Sequence, residues 1–334
     1  MPDGWLLSVV VPVYNEEETV SLTFDKLETE LGWVPRLEYV FVDDGSNDKS
    51  FAQLTEIAAR NPKAKVVRLS RNFGHETAIA AGLRWARGDA VVLLDADLQD
   101  PPELIKQFVN LWLQGYDVVY GIRQTRAGEP WLKQQTSKLF YRTLARLSDV
   151  VIPMDVGDFR LMSRRVVEVL NSMPESRRFF RGMAAWVGFR QVGVPYHRRP
   201  RAAGKSHYSL GRLWRLSVDA IVGFSSQPLR WASRVGSLLG LAGILWATHI
   251  VIKKLLLPHS ALIGWSSLMS VILVVGGLQL ILVGLVGEYI ASILEQVRSR
   301  PLFVVEQVLN AEDSGRLVMW PEAPRARGVR EDAW

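Results

Sequence analysis

VVLLDADLQDPPELI, residues 91–105, carries four aliphatic residues directly into a group of three aspartates, and two prolines follow. A short, uniformly apolar run is typical of a strand in a parallel sheet whose two faces are both covered. In such sheets, ligands bind beyond the carboxyl ends of the strands. Asp95 and Asp97 are therefore expected to face a cleft, whereas Asp100 is expected to cap the helix that begins at the prolines.

The same pattern recurs in the residues before about 122. Short β-branched runs predict strands at 6–14, 37–44, 64–69, 90–95 and 116–121, and helical patterns such as 17–31 and 75–87 separate them. This alternation predicts an α/β fold with a parallel sheet. The polar clusters YNEEE, DDGSND, RNFGHE and DADLQD follow the first four strands, so they are expected to converge on one edge of the sheet.

The composition limits the classes of function. The chain has 334 residues, 48% of them hydrophobic, and no cysteine. Disulfides, a thiolate nucleophile and a thiolate metal site are therefore excluded. The formal net charge of +6 is modest, and we expect no nucleic-acid partner. The N-terminus has no basic segment of the signal-peptide type and is interpreted as the start of a folded domain.

The last third of the chain changes character. Residues 235–252 and 262–287 contain no formal charge. Because a helix needs roughly 20 apolar residues to cross a bilayer, we predict transmembrane helices at about 235–253 and 262–287, joined as a hairpin. Two buried helices of a soluble core are the alternative, but soluble helices of this length usually carry charges on one face.

The charges around the predicted hairpin indicate its orientation. Arginines precede the first span and follow the second, which favours a cytoplasmic location for both ends. We therefore expect a multi-pass protein of the cell inner membrane whose catalytic domain and both termini are cytoplasmic. A basic amphipathic segment at 209–231 is expected to lie along the membrane surface.

The aspartate group after the fourth strand has the chemistry of a metal and nucleotide site. Oxygen donors such as the Asp97 carboxylate and the Gln99 carbonyl suit Mg²⁺ or Mn²⁺, which also bridge phosphates. Asp44, in the cluster after the second strand, is placed to accept a hydrogen bond from a base or a ribose hydroxyl. The histidines are scattered without metal-ligand spacing, so His75 is interpreted as structural.

Six motifs in this order carry a family resemblance: SVVVPVYNEEETV, VFVDDGSNDKS, SRNFGHETAIAAGL, VVLLDADLQDPPELI, YGIR and GDFRLM. Together they resemble the GT-A glycosyltransferases of family 2, and more narrowly the polyisoprenyl-phosphate sugar transferases, the group of dolichyl-phosphate mannose synthase and bactoprenol glucosyltransferase. The resemblance implies a Rossmann-like GT-A domain with a mixed, mostly parallel sheet. It also implies inverting transfer of one hexose from a nucleotide sugar to a lipid phosphate.

The resemblance also implies roles for individual residues. Asp97 and Gln99 hold the divalent metal, and Arg123 lies near the donor phosphates. The residues implied to contact the nucleotide sugar are Pro12, Tyr14, Glu16, Val42, Asp44, Asp95 and Ala96.

For the residues near the acceptor, the sequence leaves more than one role open. Asp158 matches a position with the role of a base or of an acceptor-orienting group, and orientation is favoured because a phosphate acceptor arrives already charged. A structural ion pair between Asp158 and Arg160 is the alternative. In the segment at 198–213, Arg201, Lys205 and His207 are expected near phosphate groups. His207 stands where relatives have lysine, which leaves open whether Lys205 or His207 makes that contact.

These expectations give a domain plan: a catalytic domain at 1–208, the amphipathic segment at 209–231, the hairpin region at 232–290 and a C-terminal segment at 291–334. The favoured reaction transfers glucose from UDP-glucose to undecaprenyl phosphate, with a UDP-sugar preferred over a GDP-sugar. GDP-mannose, UDP-N-acetylglucosamine and an aminoarabinose donor stay open, as does a homo-oligomer such as a tetramer. The functional alternatives are a processive polysaccharide synthase, a non-catalytic nucleotide-sugar-binding membrane scaffold and a lipid transporter.

Overall fold

The computed structural model describes residues 4–124, 156–175, 178–198, 227–256 and 264–311. The described chain divides into two compact units. The first contains the residues up to 198 together with those from 298 onward, and the second contains 227–256 and 264–297.

Eight strands of the described chain form one mixed sheet in the order β7-β5-β6-β4-β1-β2-β3-β8. The strands are β1 (Leu6–Val13), β2 (Arg36–Asp43), β3 (Ala64–Leu69), β4 (Ala90–Leu93), β5 (Val118–Arg123), β6 (Val156–Ser163), β7 (Gln191–Tyr196) and β8 (Val305–Leu309). The predicted positions of β1 to β5 are confirmed to within two residues at each end. β4 ends at Leu93 because the aspartate group after it forms a turn.

Helices connect most of these strands. In the first unit they are α1 (Val20–Leu31), α2 (Ser50–Arg60), α3 (His75–Trp85), α4 (Ile105–Leu113), α5 (Arg164–Ser172) and α6 (Phe180–Trp186). The central strands are buried along almost their whole length, as expected for a sheet that is covered on both faces. Tyr39, Phe41 and Phe159 of the sheet and Phe108 of α4 are among the largest fully buried side chains of the described residues.

Strand direction explains why the polar clusters meet. β1 pairs in parallel with β2 and β4, β2 with β3, and β5 with β7, whereas β6 is antiparallel to β4 and β5, and β8 to β3. The carboxyl ends of β1 to β5 and β7 therefore lie at one edge of the sheet, together with the amino ends of β6 and β8. We call this edge the active edge.

The last three strands, β6, β7 and β8, were not predicted from the sequence. β8 follows the long helices in the chain and pairs with β3 at the border of the sheet. The Asn310 side-chain amide donates to the carbonyl oxygens of Ala58 and Ala64, at 2.6 and 3.0 Å, which fastens the end of β8 to α2 and β3. The Arg68 guanidinium lies 3.4 Å from Asp43 and 3.3 Å from Glu306, so it links β8 to the end of β2.

The second unit contains the two long helices α7 (Gln227–Leu256) and α8 (Trp265–Val297), which match the predicted hairpin in position and exceed the predicted spans in length. Large apolar side chains on both helices are exposed, among them Ile244 and Leu280. Among the described residues, the stretch Val274–Val297 is long and apolar enough to cross a membrane, with a mean hydropathy of 1.8. The predicted amphipathic segment at 209–231 lies almost entirely outside the described residues.

Gly45, which follows β2, provides a test of the local packing at the active edge. Its φ of +67° disfavours any residue with a side chain, and an added Cβ would lie 2.5 Å from the Arg71 carbonyl carbon. We expect Gly45→Ala to lower the free energy of unfolding by about 3 kcal/mol, because both the conformation and the contact are strained. Denaturant unfolding of the purified protein measures this.

Gly32 is the matched control for this substitution. It ends α1 with an ordinary φ of −57°, and the nearest atom to an added Cβ is 3.8 Å away. Gly32→Ala should leave the free energy of unfolding almost unchanged. An equal loss for the two variants would contradict the packing argument.

Candidate functional site

The turn after β4 presents the two aspartates predicted to bind nucleotide and metal. The Thr23 hydroxyl of α1 donates to the Ala96 carbonyl oxygen at 2.8 Å, which fixes the centre of the turn. One oxygen of the buried Asp97 carboxylate accepts the Gln99 N–H at 3.1 Å. Leu98 has a φ of +53°, so the chain turns sharply between Asp97 and Gln99. Asp97 and Gln99 are therefore brought together at one tight turn.

Asp100 does not cap a helix, contrary to the sequence-based expectation. The following helical turn begins without a side-chain cap, and the Asp100 side chain is fully buried. Its Oδ1 atom accepts a hydrogen bond from the Tyr196 hydroxyl and lies 3.4 Å from Nε of Arg198. Its Oδ2 atom lies 3.9 Å from the Arg123 guanidinium and has no hydrogen-bond partner among the described residues. Asp100 is thus an anionic centre that gathers two arginines and a tyrosine.

Arg123, predicted near the donor phosphates, lies at the end of β5 on the active edge. Its Nε donates to the Tyr196 hydroxyl at 3.3 Å. The guanidinium lies against Gly157 of β6, where an added Cβ would come within 2.4 Å of Nη2. Gly157 therefore leaves the space that Arg123 occupies.

Asp158 of β6 is held by an arginine that the sequence analysis did not identify. Arg181 of α6 donates from Nε to Oδ1 at 3.0 Å and from Nη2 to Oδ2 at 2.8 Å, a two-pronged ion pair. The considered pairing with Arg160 is wrong, because the Arg160 guanidinium donates to main-chain carbonyl oxygens, including Gly157 at 2.9 Å. Burial favours a higher pKa for Asp158, but the charge of Arg181 and the hydrogen bonds from His75 and Arg181 hold that pKa well below its ordinary value.

His75 lies among the predicted site residues, and its interpretation as a structural residue stays a prediction. Its Nε2 atom lies 3.5 Å from Asp158 and 3.6 Å from Asp95, and thus links two carboxylates for which different roles are predicted. Burial favours a lower pKa for His75, but Asp158 and Asp95 raise it to about 10, which keeps the imidazole charged. Its place in the RNFGHE cluster, at the end of a parallel strand, was the sequence signal that pointed to this edge.

Hydrogen bonds join the loops after β1 and β2 at the same edge of the sheet. The N–H groups of Asn15 and Glu16 donate to the hydroxyls of Ser46 and Ser50, at 3.0 and 2.8 Å. The Asp44 carboxylate accepts from the main-chain N–H groups after β3, Phe73 at 2.7 Å and Gly74 at 2.9 Å. Asp44 therefore orders the third loop of the active edge in addition to any role toward a nucleotide.

The other predicted nucleotide contacts are spread along the same edge. Pro12 and Val42 are buried register partners at the ends of β1 and β2, and Tyr14 is exposed just beyond them. The Glu16 carboxylate accepts from the Thr19 hydroxyl at 2.9 Å. The structure thus gathers Pro12, Tyr14, Glu16, Val42, Asp44, Asp95, Ala96, Asp97, Gln99, Arg123 and Asp158 at one edge. Arg201, Lys205 and His207 lie outside the described residues.

The residues present fit a divalent cation bound together with a diphosphate. No group of three or more histidine or acidic side chains in the described ranges has the arrangement of a metal site. Mg²⁺ needs no such group, because it is often bound by one or two protein carboxylates together with substrate phosphates. Asp97 is a buried carboxylate, and beside it the buried Oδ2 of Asp100 has no hydrogen-bond partner among the described residues. This concentration of negative charge matches the donor set that such a cation requires.

The chain is similar to known proteins over most of its length. Residues 8–170 match the glycosyl transferase family 2 model, and residues 227–293 match the GtrB C-terminal hairpin model. An uncharacterized glycosyltransferase of Synechocystis sp. is 42% identical over 92% of this chain and 96% of its own length. The bactoprenol glucosyl transferase of Shigella phage SfII is 37% identical over 90% of this chain and 97% of its own length.

The chain is also similar to proteins of solved structure. Glucosyl-3-phosphoglycerate synthase from Mycobacterium tuberculosis, in complex with Mn²⁺, UDP and phosphoglyceric acid, aligns with a TM-score of 0.48 at 24% identity. The alignment covers 66% of this chain and 77% of that one.

The ion pair between Arg181 and Asp158 predicts a pH-dependent loss of stability. Because the pKa of Asp158 is lowered in the folded state, the pair stabilises the fold above the unfolded-state pKa, and this contribution is lost as the pH falls through the folded-state value. Without Arg181, burial should raise that pKa. We expect Arg181→Gln to cost about 3 kcal/mol at neutral pH and less at acidic pH, because protonation of Asp158 would remove the buried charge that is left with His75 as its remaining partner.

Unfolding by denaturant at the two pH values measures this difference. Lys26→Gln is the control, since Lys26 makes exposed ion pairs with Glu30 and Glu103 and should contribute little at either pH. A cost for Arg181→Gln that is equal at both pH values would contradict the assigned charge state of Asp158.

Proposed function

The chain belongs to glycosyl transferase family 2, and from that premise we propose that it transfers glucose from UDP-glucose to undecaprenyl phosphate with inversion at the anomeric carbon. Its glycosyltransferase activity follows from the family. The sugar, the nucleotide and the acceptor are the proposed part. The observation that carries them is the similarity to bactoprenol glucosyl transferases, which runs through both the catalytic sheet and the hairpin region.

The donor side of the reaction is assigned to the end of β4 and its neighbours. Asp97 and Gln99 would hold Mg²⁺ or Mn²⁺, which when bound neutralises the diphosphate leaving group. Arg123 adds positive charge beside Asp100, where the β-phosphate leaves. Arg201, together with Lys205 or His207, is proposed to complete the contacts to phosphate. The nucleotide would lie along Pro12, Tyr14, Glu16, Val42, Asp44, Asp95 and Ala96.

On the acceptor side, Asp158 is proposed to orient rather than to deprotonate. A phosphate monoester is already anionic near neutral pH, with a second pKa of about 6. A carboxyl whose pKa is held well below its ordinary value is a weak base. A phosphate oxygen attacks the anomeric carbon while the bond from that carbon to the β-phosphate oxygen breaks. The electron pair leaves with the nucleoside diphosphate, and no proton has to be removed from the nucleophile.

The membrane supplies the acceptor in this proposal. One apolar helix and the family hairpin indicate membrane association. We propose that α7 and α8 both span the inner membrane, with the catalytic domain and both chain ends in the cytoplasm. A homo-oligomer such as a tetramer would let the hairpins pack against copies of themselves. The domain plan of 1–208, 209–231, 232–290 and 291–334 belongs to the same proposal.

Transfer to lipid is the decisive test. Purified protein in detergent is incubated with undecaprenyl phosphate, Mg²⁺ and radiolabelled sugar nucleotides: UDP-glucose, GDP-mannose, UDP-N-acetylglucosamine and an aminoarabinose donor. We expect label from UDP-glucose to enter the organic phase. Label that moves from another donor would replace the proposed sugar, and label released only as free sugar would refute the lipid acceptor. Nucleotide-sugar binding without any turnover would instead support the scaffold alternative.

Asp97→Ala tests the assigned cation site in the same assay. We expect the rate to fall by at least about a thousandfold, because the leaving diphosphate loses its main neutralising charge. Asp25→Asn, which removes an exposed carboxylate on α1, should keep the wild-type rate. Undiminished transfer by a folded Asp97→Ala protein would refute the metal assignment.

Gly157→Ala tests Arg123 without changing its chemistry. The three atoms nearest to an added Cβ all belong to the guanidinium of Arg123, so the substitution should displace that side chain. We expect the transfer rate to fall about tenfold, since a misplaced positive charge stabilises the leaving group less well. Gly32→Ala is the control, with an unchanged rate and melting temperature. A normal rate for Gly157→Ala would mean that the observed position of Arg123 is not needed.

A further inference from the structure

Arg198 lies between two carboxylates at the centre of the candidate metal site. It follows β7, and its guanidinium is 3.8 Å from Oδ2 of Asp97 and 3.4 Å from Oδ1 of Asp100. The side chains of Asp97 and Asp100 are 6% and 0% exposed, whereas that of Arg198 is 28% exposed and reaches solvent. A partly exposed arginine thus covers two buried carboxylates.

The charge balance explains why an arginine should lie there. Two neighbouring carboxylates shielded from water repel each other, and each needs a positive partner. Oδ1 of Asp97 already accepts the Gln99 N–H, and Oδ2 is the oxygen that faces Arg198. Asp97 is also the carboxylate that would hold a divalent cation. The arginine and the metal ion therefore act on the same carboxylate.

We propose that Arg198 is a built-in competitor for the divalent cation at Asp97, and that the diphosphate of the donor relieves this competition. The inference rests on the proposed function, since it assumes a cation and a diphosphate at this edge. In the absence of nucleotide, Arg198 neutralises Asp97 and Asp100 and weakens metal binding. When a diphosphate enters, its oxygens accept hydrogen bonds from the guanidinium of Arg198. The carboxylate of Asp97 then becomes available to the metal ion.

The competition has a consequence for the order of binding. Cation and nucleotide each bind more tightly in the presence of the other, by the same factor, because linkage between two sites is reciprocal. Arg198 increases this factor by weakening the binding of the cation alone. Competition from Arg198 thus disfavours binding of a metal ion in the absence of the nucleotide. Loss of Arg198 would weaken the coupling between cation binding and nucleotide binding.

The experiment measures Mn²⁺ binding rather than activity. The full chain in detergent is titrated with Mn²⁺, the free ion is followed by electron paramagnetic resonance, and the titration is repeated with saturating UDP. We expect Arg198→Gln to bind Mn²⁺ alone about five- to tenfold more tightly than wild type, because a competing charge is removed. The gain in affinity on adding UDP should shrink by a similar factor. Arg198→Lys keeps the charge and should stay close to wild type.

Two further variants make the result specific. Arg165→Gln removes an arginine that pairs with Asp117 at the opposite edge of the sheet, so it should leave Mn²⁺ affinity unchanged. Asp97→Ala should abolish the Mn²⁺ site. The proposal is overturned by unchanged or weaker Mn²⁺ binding in Arg198→Gln, by Arg198→Lys behaving like Arg198→Gln, or by Mn²⁺ binding that survives Asp97→Ala. The first two outcomes would leave sugar transfer to lipid untouched, so this failure is distinguishable from that of the proposed function.

Discussion

Several carboxylates buried at one edge of a single sheet impose the constraint on which the rest of the site depends. Asp44, Asp97, Asp100 and Asp158 are all buried there because strand direction brings their positions together. Buried anions are costly unless each has a partner. The loops and helices around this edge can therefore be understood by asking what compensates each carboxylate.

The partners that compensate the buried negative charge differ from one carboxylate to the next, in line with the role proposed for each carboxylate. Asp44 accepts hydrogen bonds from neutral main-chain N–H groups, so it orders a loop without a positively charged partner. Asp158 is held by the rigid fork of Arg181, which fixes both its orientation and its charge. Asp100 is met by Tyr196 and by two partly exposed arginines. Arg181 is fixed to its carboxylate by two hydrogen bonds, whereas Arg123 and Arg198 lie 3.9 and 3.4 Å from Asp100, so we expect the latter two to turn more readily to an incoming anion.

Sequence patterns predicted the sheet to β5 and the edge at which the site lies, because apolar runs and strand direction are local properties. The partners could not be predicted in the same way. Asp158 and Arg160 share a face of β6, yet the ion pair forms with Arg181, which only tertiary packing brings near. Asp100 was misassigned because an aspartate before prolines has the pattern of a helix cap, whereas its true partner Tyr196 lies 96 positions away. β8 was missed since its pairing with β3 spans most of the chain.

The acceptor proposed for this enzyme changes what its nearby carboxylate has to do. A hydroxyl nucleophile needs a base whose pKa is close to the working pH. A phosphate needs no base, but a carboxylate beside it repels it. Arg181 and His75 resolve this conflict, because together they surround Asp158 with positive charge while holding it ionised. The same two cations that lower the pKa of Asp158 would let an anionic nucleophile approach it, so in the proposed reaction the low basicity of Asp158 and the acceptance of a charged nucleophile would have a single physical cause.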